Sequence, residues 1–451
     1  MSDRNQPPVV PSQTGKAARS ASGSRLDAYA DRYAARTRGM LASEIRALFA
    51  VASRPEVVSL AGGMPNIAGL PLDAVGDVLA KVLADRGQVA LQYGSGQGDP
   101  ALREQICDVM ALEGIRAHAD DVVITVGSQQ GLDLVTRIFC DPGDVVLAEA
   151  PSYVGALSVF RSYQAEVVHV AMDDDGLRPD DLRAAIGQLE QGLRRPKLLY
   201  TVPNFHNPAG VSMARERRAE VLEICQAAGV IVIEDNPYGL LGFDAEPTPA
   251  LRSLDDGVIY LGSFSKTFAP GFRVGWVTAP HGVRDKLVLA AEASVLCPPT
   301  FSQLAVSTYL ATEPWQQQIK SFQEMYRERR DALLTALDDM FPPGAVWTRP
   351  AGGFYVWATM PAGLDTKAML PRAVTARVAY VPGTAFYADG SGASSLRLSY
   401  CYPTPERIRE GVRRLADVIA GELDLLETFG GPDRVRRPMR ARPQAPAPDT
   451  T

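Results

Sequence analysis

Lys266 ends the run Ser263-Phe264-Ser265-Lys266, directly after the apolar stretch GVIYLG (257–262), and Arg273 follows in the same segment. Lysine is mostly exposed in folded proteins, so a lysine that closes an apolar strand is placed for work inside a cleft. Its amine can condense with a carbonyl group to a Schiff base. Arg273 offers a planar fork of donors that matches a phosphate, and Ser263 and Ser265 add hydroxyls. A second cluster is Glu234-Asp235-Asn236-Pro237-Tyr238. A carboxylate at the end of an apolar strand is expensive unless paired. Asp235 therefore calls for a cationic partner, which a protonated ring nitrogen would be. Glu234 should face the other way, as a structural ion-pair or solvent residue. In Asn204-Phe205-His206-Asn207-Pro208-Ala209-Gly210, the Pro and Gly set a sharp turn that aims Asn207 into the cleft. A turn-forming Asn is the plain alternative, and the lone His206 is read as structural rather than catalytic. The run Gly127-Ser128-Gln129-Gln130-Gly131 opens a helix. Helix-terminal amides with a hydroxyl and a carboxamide suit a phosphate, although N-capping by Ser128 is the favoured reading of that run alone.

These clusters need elements to hold them. The runs at 121–127, 144–153, 197–205, 230–238 and 257–266 are short, rich in Val, Ile and Leu, and continuously apolar rather than alternating. That pattern marks parallel strands covered on both faces. Helical patterns at 128–140 and 215–229 lie between them, so the chain reads as α/β, with a large doubly wound, mostly parallel sheet. Ligands in such sheets bind beyond the carboxyl ends of the strands, where each cluster falls. From about residue 300 the pattern changes. One long helical stretch spans 302–341, GGFYVWATM (352–360) and SSLRLSY (394–400) read as strands, and a helix over 406–429 closes the unit. A helix within 25–52 is expected to pack on this second unit. The two chain ends would then form a smaller α+β domain. The expected division is a tail over 1–25, the first part of the small domain over 26–75, the large domain over 76–304, a linking helix and the rest of the small domain over 305–430, and a tail over 431–451.

The bulk properties narrow the function. The chain has 451 residues, 46 of them basic and 52 acidic, for a net charge of −6. No basic excess points to nucleic acid or to an anionic membrane. The five cysteines are scattered without a CxxC pair, which argues against a disulfide framework and for a reducing cytoplasm. None of the four histidines has metal-ligand spacing, so no metal is expected. The first residues lack the apolar core of a signal peptide, and no apolar run reaches the length of a membrane span. Both termini, rich in Pro with Ser and Gly or with Arg, read as solvated tails.

Taken together and in order, the clusters resemble the fold-type I aminotransferases (class I/II), and among them the branch of 2-aminoadipate and kynurenine aminotransferases. SLAGGMP (59–65), QYGSGQGDPALRE (92–104), GSQQG, PNFHNPAG, EDNPY, SFSKTFAPGFRVGW (263–276) and SLRLSY (395–400) carry the likeness, which runs from about residue 40 to 425. The resemblance implies a seven-stranded-type sheet and pyridoxal 5'-phosphate as cofactor, held as an aldimine on Lys266, which would also act as general base. It implies that Asp235 pairs with the ring nitrogen, that Asn207 and Tyr238 bond the phenolic oxygen, and that Tyr153 stacks on the ring. Ser128, Gln129, Ser263, Ser265 and Arg273 would hold the phosphate. Tyr93 would reach the phosphate of a neighbouring subunit, which implies a homodimer with shared sites. Arg397 would clamp the substrate α-carboxylate as a bidentate fork, and Gly63, lacking a side chain, would leave room over the substrate. Arg46 matches a position where some members contact the substrate side chain, and a helix-surface ion pair explains it equally well. The region 28–50 and the loop around Leu296-Cys297-Pro298-Pro299 would shape the side-chain pocket. The activity implied is transfer of the amino group of an α-amino acid to a 2-oxo acid. The alternatives are a same-fold enzyme that decarboxylates, eliminates, cyclises or oxidises an amino acid, and a regulator domain of this fold. The last is disfavoured because no DNA-binding module precedes residue 26.

Overall fold

The computed structural model describes residues 29–40, 54–243 and 248–429. After a two-residue strand β1 (Val58–Ser59) and helices α1 (Leu72–Ala90) and α2 (Pro100–Ala111), the chain builds a central sheet. Its strands are β2 (Val122–Thr125), β3 (Val145–Ala150), β4 (Glu166–Asp173), β5 (Gly176–Leu177), β6 (Pro196–Thr201), β7 (Ile231–Asp235), β8 (Ile259–Ser263) and β9 (Gly275–Thr278). They lie in the order β2-β9-β8-β7-β6-β3-β4-β5. The stretch β8-β7-β6-β3-β4 is parallel, β9 runs antiparallel to both β2 and β8, and β5 is a short antiparallel addition to β4. The sheet is thus mostly parallel, with this two-residue strand in addition to seven longer ones.

Helices cover both faces, which explains the continuous apolar strands. Along β6, Leu198 and Tyr200 pack with Leu132 and Val135 of α3 (Ser128–Phe139) and Phe160 of α4 (Val154–Ser162). Leu199, on the opposite face, packs with Leu182 and Ile186 of α5 (Pro179–Gln191) and Val221 of α6 (Arg215–Ala228). Burial of one such leucine side chain contributes about 1.5–3 kcal/mol. The turn between α6 and β7 is closed by Gly229, left-handed at φ 68°, a helix end that only glycine makes without strain. Beyond β9 come α7 (His281–Val295), α8 (Thr300–Thr312) and α9 (Trp315–Met340). A four-stranded antiparallel sheet follows, built from β10 (Val346–Trp347), β11 (Tyr355–Thr359), β13 (Val381–Pro382) and β14 (Ser395–Ser399) in the order β10-β11-β14-β13. It is accompanied by α10 (Thr366–Thr375) and α11 (Pro405–Phe429). Strand β1 pairs in parallel with β12 (Val378–Ala379), so early and late segments of the chain meet here.

Three expectations differ from the structure. The helical stretch 302–341 is two helices, because Pro314 lacks an amide donor and Glu313 before it is extended (φ −105°, ψ 153°). The described part of the helix expected within 25–52 is two 3-10 turns, Ala30–Arg32 and Ala35–Gly39, separated by extended Tyr33 and Ala34. The second turn packs on α4 and Arg161 of the large layer rather than on the small sheet. Strand β4 was not expected at all, because this strand, with its outer neighbour only two residues long, is half-exposed and its apolar run is broken by His169 and polar ends. Among the described residues, no helix is long and apolar enough to cross a membrane.

Candidate active site

The carboxyl ends of β6, β7 and β8, the start of α3 and the small sheet enclose a cavity of about 460 Å³. Asp235 closes β7 with its side chain in that cavity. Its Oδ2 accepts a 2.7 Å hydrogen bond from the Tyr200 hydroxyl of β6. Its Oδ1 is buried with no partner among the described residues. Burial pushes the carboxyl up to about 6, and the Tyr200 bond opposes that rise. Glu234, one residue earlier, does point to the other side of the sheet, but it is fully buried there. It accepts the Leu251 and Arg252 amides at 3.0 and 2.9 Å, so backbone donors take the place of the expected ion pair or solvent.

Lys266 lies in the turn after β8, and its Nζ donates to the Gly63 carbonyl at 2.9 Å. Burial is the main force pulling its ammonium down to about 8; the Cys401 thiol opposes this, and Arg397 and Arg273 reinforce it. A neutral amine, the nucleophilic form, is therefore accessible near neutral pH.

One end of the cavity is built for an anion. Gly127, the cap of α3, has φ 76° and ψ 163°, a conformation restricted to glycine, and a Cβ there would collide with the Arg273 guanidinium. Arg273 is left-handed itself (φ 55°), which turns its side chain back to donate to the Val126 carbonyl at 3.1 Å and to Ser265 Oγ at 3.4 Å. Ser263 Oγ donates to Ser265 Oγ at 2.9 Å. Since Gly127 is the cap and makes no side-chain capping bond, Ser128 is the first helical residue and faces the cavity rather than capping. Gln129 accepts from the Tyr153 hydroxyl at 3.2 Å, which ties the helix start to the aromatic wall.

At the opposite end stands Arg397 of β14, only 3% exposed. Its Nη1 donates to Asn207 Oδ1 at 2.8 Å and its Nη2 to the Ala61 carbonyl at 2.7 Å. Its guanidinium lies 4.1 Å from the Tyr355 ring and 5.0 Å from that of Phe386. Its Nε is buried without a partner among the described residues. Asn207 is thereby fixed between its turn and Arg397, and the Tyr238 and Tyr355 rings meet edge to face with centroids 6.1 Å apart. Gly63 lines the cavity, but the space its missing side chain leaves is taken by the Tyr355 hydroxyl. His206 is structural: buried, it accepts the Ala209 amide at 3.2 Å and lies 3.0 Å from Glu149.

Tyr93 stands apart from this cluster, 76% exposed. The Cys297–Pro299 loop flanks it: Cys297 Sγ accepts from Gly94, and Thr300 donates to the Gln92 carbonyl. Arg46 lies outside the described residues. Tyr355 and Tyr200 were not singled out from the sequence. Only the register of β11 on β14, and of β6 on β7, shows that they face Arg397 and Asp235.

A cofactor with an anionic group and a cationic ring nitrogen fits these residues: the Gly127–Arg273 cradle offers donors, and Asp235 Oδ1, in the same cavity, has no partner among the described residues. Residues 55–415 match the sequence model of the family described as aminotransferase class I and II. This chain belongs to that family. The aminotransferase is 43% identical to aromatic-amino-acid aminotransferase 1 of Thermococcus litoralis over 85% of this chain and 93% of that one. It is 38% identical to the 2-aminoadipate transaminase of Thermus thermophilus, over 85% and 96% of the two chains. The crystal structure of Pyrococcus horikoshii kynurenine aminotransferase, in complex with PMP, KYN and KYA, superposes with a TM-score of 0.84 at 39% identity, covering 87% of this chain and 98% of that chain. The aminotransferase uses pyridoxal phosphate to transfer amino groups between amino acids and keto acids. When bound, the cofactor supplies an electron sink that this chain's side chains lack.

Proposed function

We propose that the aminotransferase acts on α-amino acids whose carboxylate is held by Arg397, with Lys266 as both the cofactor's attachment point and the base that moves the α-proton. The observation that carries this reading is one cavity that brings together a half-buried lysine, a carboxylate oxygen without a partner among the described residues, an anion cradle and a buried arginine fork. Asp235 would face the ring nitrogen and keep it protonated. Asn207 and Tyr238 would bond the phenolic oxygen, and Tyr153 would stack on the ring. Ser128, Gln129, Ser263, Ser265 and Arg273 would hold the phosphate. Met64, Val154 and Tyr153 wall the cavity with apolar surface, which suits aromatic or long side chains such as those named for the relatives.

We also propose a homodimer. Leu83, Val89, Leu91 and Tyr93 place an exposed apolar surface on α1 and the turn that follows it, a patch of the kind that marks a protein interface. Tyr93 would reach the partner's phosphate site from there. The attachment point is tested by borohydride reduction of the yellow enzyme followed by peptide mapping. The label is expected on Lys266, and label on another lysine removes Lys266 from its role.

A further inference from the structure

We infer that Glu113 is a positioning residue: its carboxylate, accepting from the Asn236 carboxamide, holds the turn that presents Asp235 and Tyr238 to the cofactor site. This deepens the reading above and rests on the roles proposed there for Asp235 and Tyr238.

Glu113 follows α2 and is buried, yet it does not line the cavity. Asp235, Pro237 and Tyr238 do line it, whereas Asn236 between them points behind it. There Asn236 Nδ2 donates to Glu113 Oε1 at 2.7 Å, and the Tyr260 hydroxyl of β8 donates to Glu113 Oε2 at 2.8 Å. Gly239 leaves room for this pair, since a Cβ there would collide with Glu113 Oε1 and with the Asn236 carboxamide. The backbone of Glu113 is anchored as well, its carbonyl accepting the Ala250 amide at 3.0 Å.

The pair has a fixed polarity. Arg218 of α6, also buried, can only donate, and a carboxylate can only accept. Arg218 Nη2 donates to Asn204 Oδ1 at 2.6 Å, and Asn204 Nδ2 donates to Asn236 Oδ1 at 3.3 Å. With Arg218 at one end and Glu113 at the other, the two carboxamides between them have one orientation that satisfies every bond. Asn204 opens the turn that carries Asn207, and Asn236 follows Asp235, so this relay ties together the ends of β6 and β7. The charged and titratable groups facing Glu113 are Tyr260 on β8, Arg218 on α6 and Glu234 on β7. Burial raises the Glu113 carboxyl to about 7, and the Tyr260 and Asn236 bonds and Arg218 oppose that rise. Without the accepting oxygen, the Asn236 donor is left buried and unpaired, which costs more than the bond itself contributes. The turn then shifts towards another partner and carries Asp235 and Tyr238 with it.

The test measures kcat and KM against pH on the cofactor-bound enzyme, together with the melting temperature of each variant. Asn236→Asp sets two carboxylates against each other, and they stay together only while they share a proton. Its kcat relative to the parent is expected to fall about tenfold as pH rises and that proton is lost. KM for the amino acid should not change, because Arg397 is held by Asn207 and the Ala61 carbonyl rather than by this pair. Adding Glu113→Gln returns a donor to face the new carboxylate and keeps an acceptor for Tyr260, so the double variant should recover the parent's pH profile. Glu113→Ala should lower kcat about tenfold across the pH range, again with KM unchanged, and it carries the test if Asn236→Asp does not accumulate. A melting temperature that falls while kcat and its pH profile keep the parent's values makes the relay structural and overturns the proposal. A double variant no better than Asn236→Asp overturns it too. Asp235→Asn with parental activity instead removes the underlying reading, and the proposal with it.

Discussion

Arg397 and Asp235 show how one side chain's surroundings set what it can bind. Arg397 is fixed on one side by Asn207 and the Ala61 carbonyl and clamped between two rings, so its fork is oriented before any substrate arrives. Lysine presents a point charge without the fork. Arg397→Lys is expected to lose about 2–5 kcal/mol of interaction, a fall of roughly 30-fold or more in kcat/KM. Cofactor binding should survive. An amino acid and its decarboxylated amine, measured on both proteins, decide the matter: an equal loss for both compounds would make Arg397 structural. Asp235 carries a different cost. Its carboxyl is raised from 3.8 to about 6 by burial, so the folded apoprotein holds a proton there more tightly than the unfolded chain does. Stability from this group is greatest below about pH 4 and is lost as pH rises through about 6. The Asp235→Asn apoprotein should therefore be more stable than the parent above pH 6, by roughly 3 kcal/mol, and the gain should vanish in acid. With cofactor bound, the same variant should be nearly inactive, since a neutral ring nitrogen is a poor electron sink. Thermal unfolding of both apoproteins between pH 4 and 8 checks the stability claim, and a pH-independent difference would contradict it.

At the scale of elements, the phosphate end depends on a helix start that side chains cannot imitate. Gly127 occupies backbone space that other residues enter at a cost of about 1–3 kcal/mol, and its α-carbon packs against the Arg273 fork. Gly127→Ala should displace Arg273 and weaken pyridoxal phosphate binding about tenfold or more, while binding of unphosphorylated pyridoxal changes little. Equal weakening of both ligands would place the fault in the ring site. The strands make a complementary point. Because β6, β7 and β8 are buried on both faces, their apolar runs were legible in the sequence, as were the polar residues at their ends. Strand β4 and the break at Pro314 were harder to read, since half-exposed strands lose the continuous pattern and a single proline inside a helical period leaves the periodicity intact on either side.

At the scale of the molecule, the exposed Leu91 and Tyr93 beside the Cys297 loop argue for a partner surface. Complementation tests it. In the proposed homodimer, Lys266→Ala and Tyr93→Phe are each expected to impair activity. A hybrid would then place intact Lys266 and the partner's intact Tyr93 in the same cleft. Mixing the two variants under exchanging conditions should restore activity toward that of one native site per dimer. No recovery in verified hybrids would confine Tyr93 to its own chain.

The sequence by itself determined which chemistry is available: the lysine, the carboxylate, the arginines and the glycine turns are covalent facts, and their places at strand ends follow from apolar runs that must be buried. It also carried the order of the motifs, and with it the family. What only the tertiary structure decided is which groups share an environment. The orphaned oxygen of Asp235, the lowered lysine and the contact of Tyr355 with Tyr238 and Arg397 depend on strand register and burial. They arise between residues far apart in the chain, as Gly63, Lys266 and Arg397 are, and no local pattern encodes a distance between them.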